Sequence, residues 1–556
     1  MLINKLCDLY DRLSPNMPPV GYEYKNVAGC IDILDIDIYR VEIYEEGDDK
    51  GKPFLAPKWI VRSTNISPNF LTDTSKYTIG VTINKDKPVL APKHFEAFRD
   101  YHIQLCNDID NPDIRLFLNF LMSWDPTKCL ENEQLNNLFG KIISFNIKGK
   151  PIINYDELKE VWDKAYIDML ECEEGVCSIY GEEEYIPRLH HQVQMCGEKV
   201  SLVSFNTECA ESYGFKQAYN SSIGYKAMFK YTTTLNTLVR DNRFNVRNKN
   251  FIYIFWSERD NSKLAPMLKS LLESNKADDI ELQNMIKNYL KAAQLNDYVP
   301  NNNICIAGLA AGRGRASVDF IYENDVSMFI QTINTHFENL YLKDIPAELN
   351  MPSLRTLVWY IVPEHIQNKS YMDILYQKSI NLLLTHGKYL LELYKIVLNH
   401  LNRVPPRQLG RKTLLMKIRF IKAVLIANYH FKGGNLMKLN KDIKDVAYLL
   451  GRLFAVLDKI QSDVVGSKKT LSDKYWAKAS KIPQRIFPVL FDHVHKLLPE
   501  HKYRIKYEKD IEEIVSNIDK FPTSFDESER GLFVLGFYHQ RQAFFEKNEE
   551  NVEKED

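Results

Sequence analysis

The sequence predicts an α+β protein: a mixed α/β N-terminal region followed by a mainly helical region that ends in a four-helix-type bundle. Three observations carry this reading. Short β-rich runs broken by Pro and Gly fill the first part of the chain. Helical periodicity takes over from about Val326. The last stretch holds about four amphipathic segments joined by short connections, the pattern of an antiparallel bundle.

Taken in order, Leu2–Leu13 spaces its apolar residues at helical intervals. Ile31–Val41, Trp59–Arg62, Tyr77–Val81 and Ile142–Ile147 read as strands. Ile252–Trp256 and Ile304–Leu309 are short apolar runs bounded by polar turns, which suits buried strands. Helices follow over Ser327–Tyr341, Tyr371–Leu401 and Lys412–Tyr429. Pro405-Pro406 marks one break and Lys432-Gly433-Gly434-Asn435 another. Beyond them lie Ile443–Gln461, Leu471–Ala479 with Ile486–Leu498, Tyr507–Phe521 and Gly531–Phe545, then a charge-rich tail, Glu546–Asp556, expected to fray. The expected domains are 1–325, 326–436 and 437–556: the mixed region, a helical connecting region and the C-terminal bundle.

The chain has 556 residues, of which 45% are hydrophobic and 26% charged, the balance of a soluble globular protein with room for several cores. Net charge is −1, so a nucleic-acid surface would have to be local. Thirty-one Tyr and 28 Phe supply flat faces for packing or for stacking on bases. Nine cysteines at irregular spacings argue against a disulfide framework and for a reducing cytoplasm. Met1–Asp11 mixes Lys5, Asp8 and Asp11 into its apolar residues, unlike a signal peptide. The most apolar later stretch, Ile380–Leu398, is interrupted by His386, Lys388, Glu392 and Lys395, so no membrane anchor is expected.

Four segments, in order and spread over nearly the whole chain, carry a family likeness. The first is Arg62-Ser63-Thr64-Asn65-Ile66-Ser67-Pro68-Asn69-Phe70-Leu71, followed by Asp73, Tyr77 and Gly80. The second is Leu202-Val203-Ser204-Phe205-Asn206, then Glu211-Ser212-Tyr213-Gly214, Gln217, Asn220, Tyr231-Thr232 and Leu235-Asn236. The third is Gly451-Arg452-Leu453-Phe454-Ala455-Val456-Leu457 with Lys459-Ile460-Gln461, and the fourth Leu535-Gly536-Phe537-Tyr538-His539-Gln540-Arg541-Gln542. Together they resemble the large subunit of type I-C CRISPR interference complexes (the Csd-one, or Cas-eight-c, family). The resemblance implies a non-catalytic subunit at one end of a guide-RNA complex (Cascade). Its partners would be the backbone and guide-end subunits, a small helical subunit, the CRISPR guide RNA complex and double-stranded target DNA. Such subunits read a short protospacer-adjacent motif (PAM) and start unwinding; guide pairing then supplies sequence specificity, and a recruited helicase-nuclease cuts.

The residues themselves fit such a role without requiring it. Arg62, Asn65 and Asn69 sit among small hydroxyls around a proline turn, and Asn can pair with adenine and Arg with guanine. An Asx/Ser-rich turn that caps its own backbone would look the same. Asn206 lies in a polar and aromatic stretch, and from Phe215 to Phe251 the chain carries Lys216, Gln217, Asn220, Lys226, Lys230, Arg240, Arg243, Arg247 and Lys249 against Asp241, interleaved with Tyr219, Tyr225, Phe229, Tyr231 and Phe244. Cations for phosphates and rings for bases suit a nucleic-acid groove; the plainer alternative is an aromatic core under a solvated basic face. A second acid-free basic run holds Arg403, Arg407, Arg411, Lys412, Lys417, Arg419 and Lys422, for phosphate tracking, complex docking or simple solvation. A purely structural scaffold bridging other subunits is the competing function. It would not need two basic, aromatic-rich stretches clear of acids.

Enzymatic readings find few residues. Gly308 to Arg315 is Gly-rich but lacks the Lys-Ser or Lys-Thr pair that opens the helix of a nucleotide-binding loop. Ala316–Phe320 reads as a strand, leaving Arg313 and Arg315 as candidate backbone contacts. Cys172, Cys177, His190, His191 and Cys196 are too loosely spaced for a zinc ribbon or finger, so buried thiols and structural histidines are expected and no cofactor is called for. Glu157-Leu158-Lys159, the nearest approach to a nuclease element, falls inside a helical run with no matching Asp. In the family that the chain resembles, the C-terminal helical portion is also made separately from an internal start, and Met437 is placed to serve as one; an ordinary core Met after a Gly-Gly hinge is the alternative.

Overall fold

The computed structural model describes residues 2–44, 51–59, 62, 65–248, 251–258, 272, 302–343, 352–432, 436–465, 470–501 and 503–545. Ser63, Thr64, Lys249, the Gly433-Gly434-Asn435 break and the acidic tail lie outside these residues. The fold is α+β. The chain divides into two compact units: Met1–Arg240 with Ala311–Ser317, and Asp241–Ala310 with Val318–Asp556.

The first unit is built on a five-stranded mixed sheet. Gly29–Asp35 pairs parallel with Ile142–Ile147 and antiparallel with Ile38–Ile43, while Asp73–Thr74 and Lys150–Pro151 add to Ile142–Ile147. Its central strands are buried almost throughout, as expected where both faces are covered. Helices Pro92–Cys106, Pro112–Ser123 and Asp156–Met169 contribute Phe98, Phe117, Leu121 and Trp162 to that core. Small antiparallel hairpins, Glu173–Val176 with Glu183–Ile186 and Val193–Met195 with Glu198–Val200, lead to helix Tyr225–Arg240.

Most of a four-stranded sheet (Asn245–Asn248, Phe251–Ser257, Asn303–Gly312, Arg315–Asp325), apart from the Ala311–Ser317 turn, joins helices from Val326 to Ala543 in the second unit. One continuous apolar cluster runs from Tyr253 through Phe329, Leu357, Ile421 and Leu453 to Phe537, so residues on both sides of 436/437 share a core. Helix Val446–Val465 packs extensively against Glu527–Ala543. A Cβ on Gly451 would fall against the Phe533 carbonyl, and one on Gly536 against the Tyr448 carbonyl. The two glycines therefore let these backbones touch.

Several sequence expectations change. Ile31–Val41 is a hairpin rather than one strand. Tyr77 lies in the short helix Ser75–Thr78, and a strand begins only at Val81. Trp59 and Arg62 are not in a strand; Ile60 and Val61 lie outside the described residues. Tyr371–Leu401 splits into Lys369–His386 and Leu391–Arg403, because Gly387 takes a left-handed φ of 62° and ends the first helix.

Candidate nucleic-acid interface

The 62–73 loop is held by a buried acid. Asp73 is fully buried and accepts the Arg62 guanidinium, the Asn69 amide at 2.8 Å and its neighbour Thr74 amide at 2.7 Å. Burial is the larger influence on its carboxyl and pushes its pKa up, against the pull of Arg62 and of the amides. Arg62 also donates to the Ser67 carbonyl at 2.6 Å and lies 4.0 Å over the Tyr77 ring. Phe70 is clamped between His102 and Trp162, its ring stacked on both at 5.1 and 5.6 Å. His102 in turn donates from Nδ1 to the Phe98 carbonyl at 2.7 Å and accepts the Leu71 amide on Nε2 at 2.9 Å.

These ties divide the sequence candidates. Arg62 is spent on Asp73 and the ring of Tyr77, so it organises the loop. Asn69, expected on a reading surface, is buried at 2% exposure and is corrected to a core position, because its own backbone is drawn in by Asp73. Asn65 and Ile66 stand exposed in a loop whose later part is tied to buried Asp73. Asp73, His102 and Trp162 are the supports that sequence reading did not assign. The acid at the end of the first motif was the only visible signal for them.

The second cluster unites segments about a hundred residues apart. Ser201 accepts the Ala316 amide and donates its own amide to the Gly314 carbonyl, both at 3.0 Å. The Arg313-Gly314 turn, with both residues at positive φ, is thereby pinned to the strand that leads into Ser204–Asn206. Arg313, Arg315 and Asn206 are all exposed, and the Asn206 side-chain oxygen accepts the Ser204 hydroxyl at 2.5 Å. Farther on, Asn220 closes a loop by accepting the Ser212 amide and donating to the Phe215 and Gln217 carbonyls. Gln217 holds Arg188 at 2.8 Å. Both amides thus shape the loop, and its tip presents Tyr213, 99% exposed, with Phe215 and Lys216.

Of the remaining cations, Lys226 and Arg240 are exposed on helix Tyr225–Arg240, while Lys230 pairs with Asp11 at 2.8 Å. Arg243 is chelated by Asp241, and Arg247 donates to Asn245 at 3.1 Å. The second basic run is corrected most. Lys417, Arg419 and Lys422 are fully buried, neither solvated nor able to reach a phosphate on the surface. Lys417 donates to the Ile361 carbonyl, and Lys422 to the Glu338 and Asn339 carbonyls at 3.1 and 2.9 Å. Each ammonium thus meets carbonyls at the C-terminal end of a neighbouring helix, where the dipole favours a cation. Arg407 pairs with buried Asp458 at 3.1 Å, which leaves Arg411 and Lys412 exposed.

Two members of the cysteine–histidine group are bonded within the fold. His190 shares a 2.7 Å hydrogen bond with the Tyr231 hydroxyl, and Cys177 Sγ accepts the Gly224 amide at 3.3 Å. Among the described residues no cluster of three His, Cys, Asp or Glu is arranged to hold a metal ion, and no helix is long and apolar enough to cross a membrane. Glu157 sits in the first turn of Asp156–Met169 and accepts from Asn111 at 2.8 Å.

A family model described as CRISPR-associated protein (Cas_Csd1) matches residues 6–545, nearly the whole chain. No curated protein matches the chain significantly.

Proposed function

The chain belongs to the CRISPR-associated Cas_Csd1 family, the large subunits of type I-C interference complexes, and from that premise we propose that it reads the PAM in double-stranded DNA. In this reading the subunit is non-catalytic. It inspects a few base pairs, helps open the duplex so that the guide RNA can pair, and supports recruitment of a helicase-nuclease in the cytoplasm. The observation that carries it is the 62–73 loop, which holds the polar, exposed Asn65 on a base locked by Arg62, Asp73 and the Phe70 sandwich. Reading a base edge needs a donor–acceptor pair, and an exposed Asn side chain on a loop anchored by Asp73 supplies one. The Arg313–Arg315 turn beside Ser201 adds cations suited to phosphates, which position a duplex without reading it.

The test is binding of the reconstituted guide complex, with and without this subunit, to matched duplexes that differ only in the PAM. PAM-dependent binding that appears only with the subunit is the expected result. Binding indifferent to both would favour a scaffold that bridges the other subunits.

A further inference from the structure

Among the described residues, the aromatic side chain most open to solvent is Tyr213, at 99% exposure. It stands in a turn at a φ of 53°, followed by Gly214 at 81°, and the ring of Phe215 next to them is 51% exposed. The left-handed region disfavours a bulky side chain, and water disfavours an aromatic ring held fully in it. Two local preferences are thus broken at one residue, the kind of strain that persists where a surface is used. The turn is held in spite of it. Besides the three Asn220 bonds, Glu211 accepts the Gln217 amide at 3.0 Å, and the Ala218 amide donates to the Arg188 carbonyl at 3.1 Å.

The same turn is fastened to a hairpin of one charge sign. The Tyr219 hydroxyl donates to the Glu171 carbonyl at 2.5 Å, and Arg188 donates to the Gln217 side chain at 2.8 Å and to the Glu171 carboxylate at 2.9 Å. Residues 171–184 carry six glutamates and no Lys, Arg or His. In the pairing of Glu173–Val176 with Glu183–Ile186, Glu174 lies opposite Tyr185 and Val176 opposite Glu183, and all four are exposed on one face. Carboxylates in that position repel a phosphate backbone and attract cations. The rings beside them therefore suit a protein surface better than a nucleic acid. Held aromatic side chains are also what protein interfaces place at their centres, because they lose little freedom on binding.

We propose that the 213–215 turn is a docking anchor for a neighbouring protein subunit, which takes the Tyr213 and Phe215 rings into an apolar pocket and faces the 173–186 hairpin with Lys or Arg side chains. The rings supply the anchor, and the hairpin fixes the charge of the partner. The inference rests on the place of the chain in a multisubunit interference complex and not on PAM recognition. Presenting the rings on a turn already braced by Asn220 and Arg188 lowers the ordering cost of docking.

The experiment titrates the fluorescein-labelled full chain into a guide complex reconstituted without it, in the absence of DNA. Tyr213→Ala and Phe215→Ala should each weaken docking about tenfold, and Tyr213→Phe should keep most of it. Tyr213→Gly removes the ring from a backbone that glycine adopts freely, so it should dock as weakly while its urea midpoint stays at or above that of the parent. Glu174→Lys combined with Glu183→Lys should weaken docking in low salt and less in high salt, where the charges are screened. Docking unchanged in Tyr213→Ala, Tyr213→Gly and Phe215→Ala would overturn the proposal. Full docking by these variants joined to weaker duplex binding by the assembled complex would overturn it too, and would give the rings to DNA. Tighter docking of the double lysine variant would mean a partner of the opposite charge and sink the pairing proposed here. Because docking is read without DNA, a subunit that docks normally yet confers no PAM preference counts against the PAM role alone and leaves the anchor standing.

Discussion

Gly451 and Gly536 face one another's helices across the Val446–Val465 and Glu527–Ala543 crossing, each at a point where a side chain would meet the other backbone. The same seam holds Arg452, 1% exposed, which donates to Gln540 at 3.1 Å and makes a bidentate pair with Glu513 at 3.1 and 2.8 Å. Tyr448 and His539 share a 3.0 Å hydrogen bond beside it. Two of the four segments that carry the family likeness are therefore one packed interface seen from both sides.

Gly536→Ala should force those helices apart and cost about 3 kcal/mol, near the upper end for an overpacked core. The check is the urea midpoint of the full chain. A midpoint unchanged from the parent would mean that the seam has slack the geometry does not show.

Acid should weaken the support of the 62–73 loop as it destabilises the fold. His102 is wholly buried, and its Nε2 must stay unprotonated to accept the Leu71 amide; burial holds its pKa down to about 4. His190 is held down to about 4 as well, and His191, His336 and His539 to about 3. In each case the folded pKa lies below the unfolded value, so the unfolded chain binds protons first as pH falls. Stability is full above about pH 6.5 and declines from there toward pH 4, by about 1.4 kcal/mol per unit for each such histidine. Urea midpoints at pH 7.5 and 5.5 should show a marked drop. His102→Gln, whose side-chain oxygen can accept the Leu71 amide without titrating, should flatten the part owed to that residue.

Arg407 and Lys412 were alike in sequence and should part in experiment. Arg407→Ala strips Asp458, 4% exposed, of its cation, and leaving a buried charge uncompensated costs about 3–5 kcal/mol. Lys412→Ala should leave stability within about 0.5 kcal/mol, as for an exposed position. Thermal or urea melts of the two variants separate the roles.

Much of the architecture was legible because period and burial coincide. Leu2–Leu13 and Leu471–Ala479 match the observed helices to the residue, as Ile142–Ile147 does the central strand. What misled was charge. Lys417, Arg419 and Lys422 recur at spacings that a sequence presents as a basic stripe, yet the carbonyl ends of two other helices draw the lysines inward. Those helices begin about 60 and 90 residues earlier, and no local pattern announces the contact. Asn69 misled for a similar reason, since Asp73 four residues on fixes its backbone and turns the side chain inside. The Ser201–Gly314 bonds, which bring two candidate segments together, depend on tertiary pairing alone.

The 62–73 loop offers the sharpest separation of support from readout. Arg62→Ala leaves Asp73 buried without its cation and should cost about 3–5 kcal/mol in the urea unfolding of the full chain. DNA affinity would fall with it at every PAM, because the whole loop is released. Asn65→Ala removes an exposed side chain, so stability should stay within about 0.5 kcal/mol. If Asn65 meets a base edge, its loss should cost about 1–3 kcal/mol against one PAM base pair and little at the others. A panel of duplexes carrying every single-base PAM change, titrated against the reconstituted complex, reads this directly. Uniform weakening across the panel would move Asn65 to phosphate contact, and no weakening at all would return the loop to a structural turn.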